Sequence, residues 1–246
     1  MASLNWTAPL PAREIVPDRA AEIDRKRWPA TIPAVAQLLD EGISLGRATV
    51  LVGANGAGKS TIVEAIAMVY GMNAEGGSSG VRNRTFPSES PLHQWIRVVR
   101  GPGATKWGYF IRAETMHGLF TYLENNRGNS NDPVFHAMSH GESFLRILST
   151  RRFRDDGFFV LDEPEAGLAF SAQLTLLGKL IEMSERSGTQ ILLATHSPIL
   201  ASLPGATLYE LDNEGFHQTT WEDLAVVGDY RRFMADPARY LRYLTE

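Results

Sequence analysis

The 246-residue chain has no cysteine, which rules out disulfides and thiolate metal sites and makes the cytosol its expected compartment. It has no apolar run approaching the ~20 residues that a membrane-spanning helix needs, and its amino end lacks a basic-then-apolar export signal. A soluble, cytoplasmic protein without an integral membrane segment is therefore expected. There are no sustained heptads, so long coiled-coil arms are excluded, and there are no repeats or low-complexity tracts. Positive charge is not in excess either: 24 Lys and Arg face 28 Asp and Glu, for a net charge of −4. That balance argues against a surface coated for nucleic acid. Arginines are instead grouped locally, as Arg82 with Arg84, Arg97 with Arg100, Arg151 and Arg152 with Arg154, and Arg231 with Arg232. Such groups ordinarily lie on solvated faces, with DNA contact the competing reading.

Apolar residues make up 43% of the chain, enough for a sizeable core. The length suits one large domain or one with an inserted lobe. The most specific local signal is Gly53 to Ser60, G-A-N-G-A-G-K-S, set between an apolar run (48–52) and a helix-forming one (61–70). It meets the whole pattern G-x-x-x-x-G-K-[ST]. The glycines let backbone N–H groups converge on a phosphate, Lys59 adds charge for the outer phosphates, and the Ser60 hydroxyl suits Mg²⁺. The candidate nucleotide contacts are Gly53, Ala54, Asn55, Gly56, Ala57, Gly58, Lys59, Ser60 and Thr61.

A second signal is Gly157 to Glu165, G-F-F-V-L-D-E-P-E. Its unbroken apolar run reads as a central parallel strand, and ligands gather at the carboxyl ends of such strands. Asp162 is expected beside the phosphate loop as a hard oxygen ligand, holding Mg²⁺ with Ser60. Glu163 is the candidate general base for an attacking water; the plainer reading is a solvated strand-end acid. A third apolar run, I-L-L-A-T-H-S-P from Ile191, delivers His196, which lies 34 residues after Asp162 across a helical segment. That spacing is the layout of a neighbouring strand in a βαβ unit. His196 would donate to the terminal phosphate, with a capping or core histidine as the alternative.

In this order the three signals resemble the ATP-binding cassette (ABC) class of P-loop ATPases. The resemblance implies an α/β fold with a mainly parallel central sheet flanked by helices, as a single domain over 1–246 with a small helical lobe inserted at approximately 115–152. Members carry a Ser-Gly-Gly-Gln/Glu signature before the acidic strand, and Ser139-His140-Gly141-Glu142 stands there. Ser139, Gly141 and Glu142 fit, while His140 replaces the first glycine and should make the loop bulkier. In the family the signature of one protomer closes over the nucleotide held by the other. The resemblance thus implies an ATP-dependent homodimer with ATP and Mg²⁺ as cofactors, in which Lys59, Glu163 and His196 are catalytic.

Other family landmarks are weaker here. The segment 164–170 stands where the family crosses its dimer interface, without the usual aspartate after Leu168. No lid glutamine is obvious; Glu114, ending a strand-like run, is the candidate stand-in against the plainer reading of a solvated strand-end acid, and Gln94 is the alternative. Trp28, 25 residues before Gly53, stands where the family often stacks an aromatic on adenine, although its residue type reads first as a partly buried core tryptophan. Pro91-Leu-His, Arg112-Ala-Glu, Asp162-Glu-Pro-Glu-Ala and Thr195-His-Ser-Pro-Ile-Leu, with the signature, look like a group of small stand-alone bacterial predicted ATPases. That group is related to chromosome-maintenance and recombination-repair ATPases, and the resemblance runs from about Ile32 to the carboxyl end.

The remaining pattern is coarser. A short helix is expected at 32–39, with the fold proper beginning after it. A loop follows at 73–90, then an amphipathic stretch at 91–100, a strand at 107–113 and a helix at 117–127. The helix at 171–186 should lay Leu174, Leu177, Leu180 and Ile181 on the sheet. A hairpin at 207–220 and a helical end divided at Asp236-Pro237 complete the chain. Three functions compete: a soluble ATPase switch in DNA repair, recombination or defence; the nucleotide-binding subunit of a transporter; and a slow-hydrolysing sensor that regulates a protein partner. Partners within reach of these readings are a second copy, a nucleic acid or an unidentified protein.

Overall fold

The computed structural model describes residues 9–78, 90–126, 132–138 and 140–242, with His140 described by its backbone alone. In chain order the elements are β1 (Glu14–Pro17), α1 (Pro33–Glu41), β2 (Ile43–Ser44), β3 (Ala48–Gly53), α2 (Lys59–Tyr70), β4 (Gly77–Ser78), β5 (Ile96–Val99) and β6 (Gly108–Arg112). They continue with α3 (Met116–Asn125), α4 (His140–Leu148), β7 (Gly157–Asp162), α5 (Phe170–Ser184), β8 (Thr189–Thr195), α6 (Pro198–Ala201), β9 (Thr207–Leu211), β10 (Phe216–Thr219), α7 (Ala225–Ala235) and α8 (Pro237–Leu241).

The main sheet has the order β10-β9-β3-β8-β7-β6-β4. Its middle strands, β9, β3, β8, β7 and β6, are all parallel, and each edge is closed by an antiparallel strand. Strands with side chains of period two serve both faces. On one face Val50, Val52, Phe159, Leu161, Ile191 and Leu193 meet apolar residues from α3 to α6. On the other, Leu51, Phe158, Val160, Leu192 and Ala194 meet α1, α2 and the three-stranded antiparallel sheet β2-β1-β5. Both faces are covered, as the apolar runs of β3, β7 and β8 require.

The fold class matches expectation, and so do α1, β6, α3, the β9–β10 hairpin and the break at Asp236. Two expectations need correction. The fold does not wait for residue 40: β1 pairs with β2 and β5, so residues 14–17 belong to the small sheet. The amphipathic stretch 91–100 takes the form of a 3₁₀ turn at Pro91–Gln94 followed by the strand β5, where buried Ile96 precedes exposed Arg97. In α5 Leu176, Leu180 and Met183 are buried and Leu177 and Ile181 pack against the same core, so of the four expected residues Leu174 alone fails, at 47% exposed. The fully buried residues follow an i, i+4, i+7 stripe that leaves Leu174 outside it. Of the loop expected at 73–90, residues 79–89 lie outside the described residues, as do Arg82 and Arg84.

One buried polar side chain ties the amino-terminal segment to the sheet. Gln190 of β8 is fully buried; its Nε2 donates to Ala12 O at 2.6 Å and Gly46 O at 2.8 Å, and its Oε1 accepts from Ala12 N at 2.8 Å. An isosteric Gln190→Leu change would strand those backbone groups, each worth roughly 1–3 kcal/mol when buried without a partner. Urea denaturation should show a loss of about 2–4 kcal/mol with an unchanged slope. An unshifted midpoint would refute the tie.

Candidate active site

The candidate residues are placed by three neighbouring strand ends. β3 runs into the loop 53–58 and α2 starts at Lys59; β7 ends on Asp162; β8 ends one residue before His196. In the loop, Gly58 adopts φ +99°, a left-handed conformation that glycine tolerates, and an added Cβ would lie 2.8 Å from Ile32 Cγ2. Because β8 lies between β3 and β7, the acid strand does not adjoin the loop's own strand. Contact is made above β8, where Ser60 Oγ donates to Asp162 Oδ1 at 3.0 Å.

Lys59 is buried, and its Nζ donates to Gly53 O at 2.9 Å and Ala54 O at 3.1 Å and lies 2.9 Å from His196 Nε2. Desolvation lowers its pKa, while the charges of Glu163, Asp162 and Glu165 oppose that shift. His196 Nε2 is also 3.0 Å from Glu163 Oε1. An ammonium can only donate, so Nε2 serves Lys59 as an acceptor in one tautomer and Glu163 as a donor in the other. It cannot do both at once. Glu163 itself sits at φ +49°, the one described non-glycine residue with positive φ, fixed by its N–H on Ala194 O (2.9 Å) and by Ala166 N on its own carbonyl (3.0 Å). Left-handed strain of this kind costs roughly 1–3 kcal/mol and clusters at functional sites.

Asp162 is almost fully buried, and burial pushes its carboxyl up to about 6, against the pull of Arg112, Ser60 and Lys59. Arg112, the last residue of β6 and register partner of Asp162, was not singled out as a site residue from sequence. Its Nε lies 3.4 Å from Asp162 Oδ2, its Nη1 2.5 Å from Glu64 Oε2 on α2, and its Nη2 3.3 Å from Glu114 Oε2. A strand-end arginine becomes informative only once β6 is known to adjoin β7.

A cavity of about 200 Å³ opens over the loop, lined by Trp28, Ile32, Asn55, Lys59, Ser60 and Glu163, among others. Trp28 is 56% exposed there, so the reading as a partly buried core tryptophan gives way to a ring facing the loop. A second cavity, about 660 Å³, lies on the other side of residues 53–57, between His196, the β9–β10 turn and α7. Glu114 is 78% exposed at its salt bridge, Gln94 is exposed in its 3₁₀ turn, and neither lines these two cavities. Ser139 lies outside the described residues. Gly141 and Glu142 stand in the first turn of α4, where an added Cβ on Gly141 would meet Leu168 Cδ2 at 3.0 Å. The remaining described arginine groups are largely held locally: Arg97 by Asp18, Arg100 by Tyr70 O, Arg152 by Asp132 and Arg232 by Asp229.

The raised Asp162 pKa has a stability consequence. Relative to an ordinary value of 3.8, the ionised carboxyl is less favourable in the fold than in the unfolded chain. That penalty is absent below pH ~4, grows as pH rises and is fully present above pH ~6. With chelator present, Asp162→Asn should exceed wild type by about 1–3 kcal/mol at pH 8 and lose that advantage toward pH 4, measured by urea denaturation. Equal stability at pH 8 would refute the burial penalty.

Comparison with known proteins places this geometry. A family model described as "AAA domain, putative AbiEii toxin, Type IV TA system" matches residues 48–102 and 93–202. The chain is similar to the zinc import ATP-binding protein ZnuC of Vibrio cholerae, at 26% identity over 156 residues (63% of this chain, 58% of that protein). It is also similar to ZnuC of Alcanivorax borkumensis, at 28% over 182 residues (68% and 65%). It thus spans less than two thirds of either relative. An uncharacterized ABC transporter ATP-binding protein of Haemophilus influenzae is 24% identical over 206 residues (72% and 77%). Among solved structures, the SMC head domain from Thermotoga maritima aligns at 17% identity with a TM-score of 0.41, covering 72% of this chain and 92% of that one. The family match takes in the phosphate loop, the acidic strand and the histidine strand, more than half of the sequence, and the chain accordingly belongs to that family.

Proposed function

We propose that the chain hydrolyses ATP with Mg²⁺ in an ABC-type dimer that sandwiches the nucleotide, and that this cycle works a switch in DNA repair, recombination or defence. The observation that carries the reading is the meeting of Lys59, Ser60, Asp162, Glu163 and His196 through contacts of 2.9–3.0 Å. In this reading 1–246 acts as one cytoplasmic ATPase domain with 115–152 as its inserted lobe. The type IV toxin–antitoxin wording of the family description favours the defence branch.

The donors fit a hard divalent cation. Ser60 Oγ and Asp162 Oδ1 are adjacent oxygens, and burial disfavours the Asp162 carboxylate charge despite Arg112 and Lys59, a cost that a bound cation would reduce. Bound there, magnesium would offset charge on the phosphate oxygens. Lys59 and the amides of 53–61 bind the phosphates, and Trp28 stacks on the base. Glu163 orients water and accepts its proton, held to its task by the fixed backbone of its turn. His196 and the partner subunit's Ser139 stabilise the transferring group, and Gly141 and Glu142 open the signature helix toward it.

The curated relatives favour a second reading, a transporter's nucleotide-binding subunit, since two are named zinc import ATP-binding proteins. ATPase rates with and without linear and single-stranded DNA, at two salt concentrations, separate the two: salt-sensitive stimulation supports the switch, and its absence shifts weight to a protein partner.

Because phosphoryl transfer depends on positioning and charge, Lys59→Ala and Glu163→Gln should each slow phosphate release by about two or more orders of magnitude. Wild-type turnover by Lys59→Ala would overturn the assignment. Light scattering should find Glu163→Gln dimeric in saturating Mg-ATP, and a persistent monomer would count against the sandwich.

A further inference from the structure

Glu165 lies two residues beyond Glu163, and no role has so far been given to it. Its Oε1 accepts three hydrogen bonds: from Thr195 Oγ1 at 2.7 Å, His196 N at 2.6 Å and Ser197 N at 3.1 Å. These donors are consecutive residues where β8 ends and α6 begins, and the middle one is the backbone of His196. The other oxygen, Oε2, is buried without a hydrogen-bond partner.

The contacts close into a ring. Leu168 N donates to Glu165 O at 2.8 Å, and Gln173 Nε2 donates to Leu168 O at 3.0 Å. Ser197 Oγ donates to Gln173 Oε1 at 2.6 Å, and Ser197 N returns to Glu165 Oε1. Ser197 Oγ also caps α6 by accepting from Ile199 N at 3.1 Å and Leu200 N at 3.3 Å. The turn that begins at Glu163, the start of α5 and the segment carrying His196 are thereby held as one unit. A neutral acceptor would bind three donors more weakly, since hydrogen bonds to a carboxylate are roughly twice as strong as neutral ones.

We propose that Glu165 is a positioning residue for hydrolysis: its carboxylate fixes the backbone of His196 so that Nε2 stays within reach of both Lys59 and Glu163. Through Leu168 and Gln173 it couples that placement to the turn 163–169. The inference rests on the ATPase reading above. Glu165 touches neither Lys59 nor Ser60 in any hydrogen bond described, and its charge is the smallest of the three carboxylate contributions supporting the Lys59 ammonium, so its loss should largely spare nucleotide capture and disturb the later step. Misplacing a reacting group by about 1 Å costs on the order of 100-fold in rate.

The test is steady-state ATP hydrolysis by the full chain, with kcat and KM separated. Glu165→Ala should lower kcat by about 10–100-fold with KM for ATP within about threefold. Glu165→Gln keeps a carbonyl oxygen for the three donors and should recover at least about a third of wild-type kcat. Unchanged kcat in Glu165→Ala, or a rise in KM with kcat preserved, overturns the proposal, as does a Glu165→Gln protein as slow as Glu165→Ala. If Glu165→Ala lacks a cooperative urea transition, Gln173→Ala carries the test, because it opens the ring and leaves every Glu165 bond in place. A kcat lowered about threefold or more supports the coupling, and wild-type kcat defeats it. An inactive wild-type chain would fell the ATPase reading and this inference together, whereas an active wild type matched by Glu165→Ala fells this inference alone.

Discussion

Charge gathered at the mouth of a parallel sheet is the constraint on which the site depends. Lys59 and Asp162 are both buried, and burial disfavours the ionised form of each. Their opposite signs, with Arg112 and Glu64 behind them, offset part of that cost at short range. The local structure follows from this demand: strand ends carry the charges, loop amides and carbonyls line them, and two apolar faces keep the sheet rigid beneath.

Much of this was legible in the sequence because the relevant signals are local. The phosphate loop needs consecutive residues, and the strand beneath each motif announces itself as an apolar run flanked by polar chemistry. Lys59, Ser60, Asp162, Glu163 and His196 were each singled out this way, and the described geometry brings all of them together. The parallel pairing of β7 with β8 followed from a single helical segment between them.

What escaped was long-range. Arg112 acquires meaning from strand order, which no window of residues around it contains. Glu165 stood in plain view in D-E-P-E, yet its partners are about thirty residues away at the end of another strand. β1 was missed because a four-residue strand in a proline-rich, charged segment has no periodicity to detect, and its pairing partners lie at 43–44 and 96–99. Leu174 misled for the opposite reason: a leucine in a helical repeat predicts burial, but the neighbour across the helix decides which stripe is covered.

The interposed β8 has a further implication. Strands in a sheet stand about 4.8 Å apart, so the ends of β3 and β7 are separated by roughly 9.5 Å, with His196 rising from the floor between them. Strand order therefore acts as a gauge block, fixing the aperture between the loop wall and the acid wall without reference to any side chain. Substitutions on either wall can alter how tightly a guest is held, but the gap they line is machined by backbone hydrogen bonds.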